Sequence, residues 1–267
     1  MKPAVFEYRA PDSLDDALAL LDDEDARPLA GGQSLIPMLN FRLAFPAVLV
    51  DLNPVVSLDH IDVFDGSLRI GAMTRQAALL RSTAVAEGWP LLTQAVSHVG
   101  HAAIRSRGTV GGSVAHADPA AELPVALTAL DARFRVRSVR GERVLSGGEL
   151  FRGALETALE PGELLVDIEV PPQHAGARMG FAEHVRTHGD FAIAGAAVVI
   201  ARRHAAIALL GAAQVPVRAA EAERGLVAGA GAAQVSRLAA EEAEVGGDHR
   251  RALLEELVRR ALERARA

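Results

Sequence analysis

Apolar positions along the chain change period several times, and each change marks an element. Leu14, Leu18 and Leu21 recur at helical spacing with Ala17 beside them. Ser13 stands before them as a cap and Asp16 where a capping-box acid belongs, so a helix is predicted to open here. Residues 27–30 read as a short strand running into Gly31-Gly32, and residues 34–39 as a helix that tolerates Pro37 in its first turn. Residues 47–52 predict a compact strand, ended by Asn53-Pro54. From 61 to 70, apolar residues alternate on both sides of Asp65-Gly66, the signature of a hairpin with a primed turn. Thr74 is expected to cap a helix reaching about residue 81. Trp89-Pro90 leads into another, with Leu91, Ala95 and Val99 on one side. Pro119 reads as an early helical residue of an apolar helix completed by 125–130. Between 133 and 139, Phe134, Val136 and Ser138 share one face against a row of arginines, which predicts a half-exposed strand. A further strand at 163–170 is stopped by Pro171-Pro172.

Residues 171–180 hold prolines and glycines without periodicity and mark the best domain boundary. Beyond it, 179–186, 191–201 and 205–210 read as three consecutive antiparallel strands. From Arg218 the pattern is helical and charged, ending in a helix at about 249–265 that carries Leu253, Leu254, Leu257 and Leu262. The expected architecture is α+β, with one domain at 1–172 (subdomains about 1–56 and 57–172) and a second at 178–267.

Composition narrows the function classes. Half of the 267 residues are hydrophobic and only 4% aromatic, so alanine, valine and leucine must supply the core. The net charge of −6 argues against a dedicated nucleic-acid binder. Without cysteine, these residues offer neither a thiolate nucleophile nor a ligand for an iron–sulfur cluster. No signal-like apolar stretch opens the chain and no apolar run is long enough for a bilayer, so a cytoplasmic protein without membrane insertion is expected.

The candidate chemistry lies in two glycine pairs. Leu29-Ala30-Gly31-Gly32-Gln33-Ser34-Leu35 and Thr109-Val110-Gly111-Gly112-Ser113 each follow an apolar entry and exit to a polar residue. Backbone without Cβ atoms lets N–H groups converge on an anion, and two such segments suit the two phosphates of a dinucleotide. The hydroxyls of Ser34, Thr109 and Ser113 add donors. At Gly111, a Cβ is expected to block close approach of the backbone to the ligand. Walker, Rossmann and nucleophile-elbow signatures are incomplete: no Gly-Lys-Ser/Thr occurs, Gly229-Ala230-Gly231 leads to Gln234 with no preceding strand, and Ile36 replaces the closing glycine after Ser34. Arg105 and Arg107 either balance phosphate charge or, as alternate arginines more often do, form a solvated strand edge. His98 with His101, and His184 with His188, read as hydrogen-bonded or surface histidines rather than metal ligands. Asp118 and Glu122, four apart at a helix start, either complement the helix N-terminus or accept hydrogen bonds from sugar hydroxyls.

The two motifs, extended to Ala30–Pro37 and Gly108–Pro119, resemble the FAD signatures of the medium flavoprotein subunits of molybdenum hydroxylases, a family that includes the carbon monoxide dehydrogenase medium subunit and xanthine dehydrogenase flavin subunits. Gly189-Asp190-Phe191-Ala192, Pro216-Val217-Arg218-Ala219 and the closing 250–262 are similar to carboxy-terminal motifs of that family. The resemblance implies two α/β subdomains forming a PCMH/VAO-type FAD-binding domain, followed by a three-stranded antiparallel sheet with helices. It also implies that residues 29–35 and 109–113 bind the FAD diphosphate, with Val99 near the cofactor. Glu122 would meet ribityl or ribose hydroxyls, with Asp118 beside it, Leu164 would contact the flavin or adenine, and Phe191 would lie close to the isoalloxazine. No catalytic side chain and no metal are implied. The implied partners are an iron–sulfur small subunit, a molybdenum-pterin large subunit and an acceptor such as NAD or a quinone. A lysine common in the family shortly after the position of Phe181 is missing; Ala182, Glu183 and His184 stand there. A stand-alone FAD oxidase and a nucleotide-binding regulatory module of the same fold are the alternatives.

Overall fold

The computed structural model describes residues 2–244 and 247–267. The chain begins with a parallel three-stranded sheet in which Val48–Asp51 lies between Glu7–Arg9 and Ala26–Leu29. Helix Leu14–Leu21 packs Ala17, Leu18 and Leu21 onto it, and Ser13 Oγ accepts the Asp16 N–H as the capping pattern requires. Helix Leu35–Asn40 follows the first glycine pair.

The next sheet has five antiparallel strands in the order Ile61–Phe64, Ser67–Gly71, Leu164–Val170, Arg133–Ser138, Gly141–Ser146. Asp65 and Gly66 both take positive φ (48° and 78°), so the predicted primed turn closes its first hairpin. Phe134, Val136 and Ser138 are buried, as their alternation requires. Helices Gln76–Arg81, Thr83–Gly88, Pro90–His98, Ala102–Arg107, Val110–His116 and Glu122–Ala129 accompany this sheet. A register shift between Leu165 and Asp167 breaks the strict alternation of the central strand. Leu164 and Val166 therefore join the core of the first sheet, while Leu165, Ile168 and Val170 join that of the second.

Strands Arg178–His184, Ala194–Ala201 and Ala-rich His204–Leu210 form the expected antiparallel trio, extended at one edge by the two-residue strand Val217–Arg218. Period two divides the faces of this sheet. Ala197, Val199, Ala206, Ala208 and Leu210 continue the core of the five-stranded unit, whereas Ala194, Ala196, Val198, Ile207 and Leu209 pack with helices Ala220–Val227, Ala232–Glu241 and Asp248–Arg266. Residues 171–177 form neither helix nor strand, yet apolar packing continues across them.

Three local expectations change. Thr74 does not cap the next helix: its hydroxyl donates to the His60 carbonyl at 2.8 Å, and extended Arg75 precedes the first turn. Pro119 lies in a turn, where Asp118 Oδ1 accepts the Ala120 N–H at 2.8 Å, and the helix starts only at Glu122. Arg105 and Arg107 occupy the last turn of a helix rather than a strand edge. None of the described helices is long and apolar enough to cross a membrane.

Candidate cofactor site

A cleft of about 650 Å³ runs between the three-stranded sheet and the five-stranded unit, with the loop Gly189–Phe191 at one side. Of the residues singled out from sequence, Ala30, Gly31, Gly32, Gln33, Ser34, Leu35, Val99, Thr109, Gly111, Gly112, Ser113, Asp118, Glu122, Leu164 and Phe191 line it. Leu29 and Val110 do not. Leu29 is the last residue of its strand, pairing with Asp51, and Val110 is fully buried in the main core.

The two glycine pairs meet at one junction. A Cβ on Gly31 would overlap the Arg107 carbonyl and come within 2.8 Å of Gly108 Cα, so this glycine lets one loop lie directly on the entry to the other. Arg75 spans the same junction. Its guanidinium donates to the Arg107 carbonyl and to Asn53 Oδ1, and Asn53 Nδ2 donates to the Ala30 carbonyl at 3.2 Å.

The loops are not equivalent, however. The N–H groups of Gly32, Gln33, Ser34 and Leu35 have no acceptor among the described residues. In the second loop Val110 N–H goes to the Thr74 carbonyl and Gly111 N–H to the Ala72 carbonyl, both at 2.9 Å. Thr109 Oγ1 takes the Gly112 N–H at 3.0 Å as the cap of helix Val110–His116. Only the first segment thus carries the free N–H groups that both were expected to offer. A Cβ on Gly111 would lie 2.7 Å from Ala72 Cα, so the first need for glycine here is packing of its helix against the turn at Ala72.

The remaining walls are mostly apolar, with Met38, Leu52, Met73, Ile104, Leu159 and Leu165 among them. Arg27 is the one arginine or lysine in the lining, and Glu163 is engaged by Arg143 at 2.6 Å. Val99 and Gly100 are held by Arg105, which donates to their carbonyls at 2.8 and 2.9 Å, a role its place in the sequence does not suggest. Phe191 is 74% exposed, on a loop whose Gly189 (φ 89°) leaves no room for a Cβ against the His101 ring.

Glu122 opens its helix and is buried. Burial is the main cause that raises its carboxyl from an ordinary 4.5 to about 8, helped by the nearby charges of Glu183 and Asp118 and opposed by a backbone hydrogen bond. A neutral carboxyl both donates and accepts, which suits a sugar hydroxyl. Glu183 occupies the region of the missing family lysine. Its carboxylate meets His98 Nδ1 at 3.1 Å, and its other oxygen, Oε2, is buried without a partner. No group of three or more metal-ligating side chains is brought together among the described residues; His188 instead lies near His101, with ring centroids 5.6 Å apart.

Gln76 was missed from sequence. It lines the cleft at the start of helix Gln76–Arg81, with its Oε1 sealed and unpartnered. Only its place one residue after the strand-to-helix turn hinted at a site. Free loop N–H groups, hydroxyls at Ser34 and Ser113, an unpaired amide, a neutral buried acid and long apolar walls together fit an elongated dinucleotide with a flavin ring, and the cleft volume is in the range of cofactor sites.

Known proteins bear on this directly. Residues 4–173 match the family described as FAD binding domain in molybdopterin dehydrogenase. The chain is 44% identical over 235 residues to the 6-hydroxypseudooxynicotine dehydrogenase complex subunit alpha of Paenarthrobacter nicotinovorans, covering 85% of this chain and 79% of that one. It is 36% identical to the carbon monoxide dehydrogenase medium chain of Afipia carboxidovorans, over 100% of this chain and 99% of that one. A solved carbon monoxide dehydrogenase structure from Hydrogenophaga pseudoflava superposes with a TM-score of 0.94 at 35% identity, covering 99% of this chain and 98% of the matched chain. The fold, the cleft and these likenesses agree: the chain belongs to the FAD-binding flavoprotein subunits of the molybdopterin dehydrogenases.

Proposed function

We propose that this chain is the electron-transfer subunit of a heteromeric molybdenum hydroxylase. It receives electrons from an iron–sulfur small subunit, while substrate is oxidised on a molybdenum-pterin large subunit, and passes them to an acceptor such as NAD or a quinone. The observation that carries this reading is the junction of the two glycine loops, where four consecutive N–H groups are unpaired at the mouth of an apolar cleft. The absence of cysteine from these residues supports a division of labour in which clusters sit on another chain.

When bound, FAD supplies a carrier able to exchange electrons singly or in pairs. The protein's part is to bind, orient and tune it. The N–H groups of 32–35 and the hydroxyls of Ser34 and Ser113 would hold the diphosphate, with Ala30, Gly31, Thr109 and Gly112 shaping the junction. Glu122, neutral at working pH, would hold a ribityl or ribose hydroxyl, with Asp118 beside it. Val99, Leu164 and Phe191 would flank the rings and limit water. Glu183, in contact with His98, would stand in the region of the missing lysine.

The test is purification of the chain from its source under mild conditions. A yellow complex holding FAD, iron, molybdenum and two further chains, one rich in cysteine, is expected. A flavoprotein that purifies alone and oxidises substrate unaided would instead support an oxidase, and a colourless chain that does not take up FAD a regulatory module.

A further inference from the structure

The side chain of Gln76 is out of balance with its surroundings. The residue is 5% exposed, and its Oε1 is buried with no hydrogen-bond partner. Its Nε2 donates to no acceptor among the described residues either. The oxygen is thus sealed, while the nitrogen is not sealed and lacks an acceptor, so the amide has a donor to spare at the cleft it lines. Gln76 N–H is fixed to the Gly108 carbonyl at 2.9 Å, and a Cβ on Gly108 would fall 2.6 Å from Gln76 Oε1. Oε1 thus occupies the space a side chain on Gly108 would need, and Gly108 is also the residue on which Gly31 rests. Gln76 borders the cleft at the junction of the two loops, beside the unpaired N–H groups of 32–35. Every unpaired backbone group named there is a donor, and Arg27 is the only arginine or lysine in the lining. The terminal amide torsion is soft, so turning Nε2 toward the cleft adds one more donor directed at the same acceptor.

We propose that Gln76 is a cofactor-binding residue whose amide donates to the diphosphate at the loop junction, a contact that rests on the FAD reading above. It would compensate for the second loop, whose N–H groups are already taken by Thr74, Ala72 and Thr109.

The test uses the full chain stripped of flavin, with FAD and ADP as probes. Gln76→Leu keeps the size and removes the amide, and Gln76→Glu keeps the shape and replaces the donor with an acceptor. Loss of one hydrogen bond to a charged group weakens FAD and ADP alike, about ten- to a hundredfold for Gln76→Leu, and Gln76→Glu weakens them further. In the stripped protein Gln76→Leu melts at the same temperature as wild type or higher, because an unpaired buried oxygen has been removed. A purely structural glutamine gives the opposite pattern, with a lower melting temperature and unchanged affinity. Unchanged affinity in both variants, or loss for FAD without loss for ADP, overturns the assignment to the diphosphate. Failure of the wild-type chain to bind either probe overturns the FAD reading itself, which separates the two claims.

Discussion

Glu122→Gln isolates the buried carboxyl of the cleft. Burial raises that carboxyl from 4.5 to about 8, so between these values the native protein holds a proton that the unfolded chain has released. Stability contributed by a raised group is complete below the unfolded value and is lost as pH climbs through the folded one. Each unit of difference corresponds to 1.36 kcal/mol, so between about pH 5 and pH 8 the wild-type chain should lose on the order of 3 kcal/mol from this residue alone. Glutamine has nearly the shape of the neutral acid and does not titrate. The assay is urea unfolding of the flavin-free chain and of Glu122→Gln at several pH values in that window. Other titrating groups are common to both proteins and cancel in the difference. The wild-type curve should fall relative to the variant by roughly that amount, with the variant the more stable at about pH 8. Parallel curves, or a wild type that gains on the variant as pH rises, would show that Glu122 is ionised in the fold and refute its role as a neutral partner for a hydroxyl.

Three further substitutions probe the frame of the cleft. Gly31→Ala should part the two loops, raising the FAD dissociation constant at least about tenfold and costing about 1–3 kcal/mol of stability, measured by calorimetry with and without ligand; unchanged affinity would count against the junction. Gly111→Val should lower the melting temperature of the flavin-free chain, since the added atoms meet Ala72 rather than the ligand; a normal melting temperature with lost FAD would restore the simpler idea of blocked approach. Arg105→Ala removes two donors from the Val99–Gly100 turn and should cost about 1–3 kcal/mol in denaturant unfolding, with weaker FAD binding alongside; no change in either would mean that the turn holds itself.

Much of the fold was legible because period and punctuation agree. Asp65-Gly66 between alternating strands, Ser13 before an apolar stripe, and Pro171-Pro172 after a strand each act locally, and each acts as expected in the fold. What was not legible depends on contacts remote in sequence. Thr74 has the chemistry of a cap but is drawn to the His60 carbonyl, fourteen residues earlier. Gly111 looks like a ligand-facing glycine, yet the reason for it is Ala72. Two glycine pairs with the same local grammar thus came to differ, because only the first is free of a neighbouring backbone acceptor. The acidic character of Glu122 was visible in sequence, but its raised pKa arises from burial and from Glu183, sixty-one residues away. Gln76 carried no motif at all; its significance lies wholly in what it fails to bond.

The central claim is that the junction of the two loops holds the diphosphate of FAD. Its most direct measurement is equilibrium titration of the flavin-stripped chain with FAD, FMN and riboflavin, followed by flavin fluorescence, in wild type and Gly31→Ala. One FAD per chain, bound at least about a hundredfold more tightly than riboflavin and weakened selectively by Gly31→Ala, is the predicted result. Equal affinity for FAD and riboflavin, or no flavin uptake at all, would contradict it.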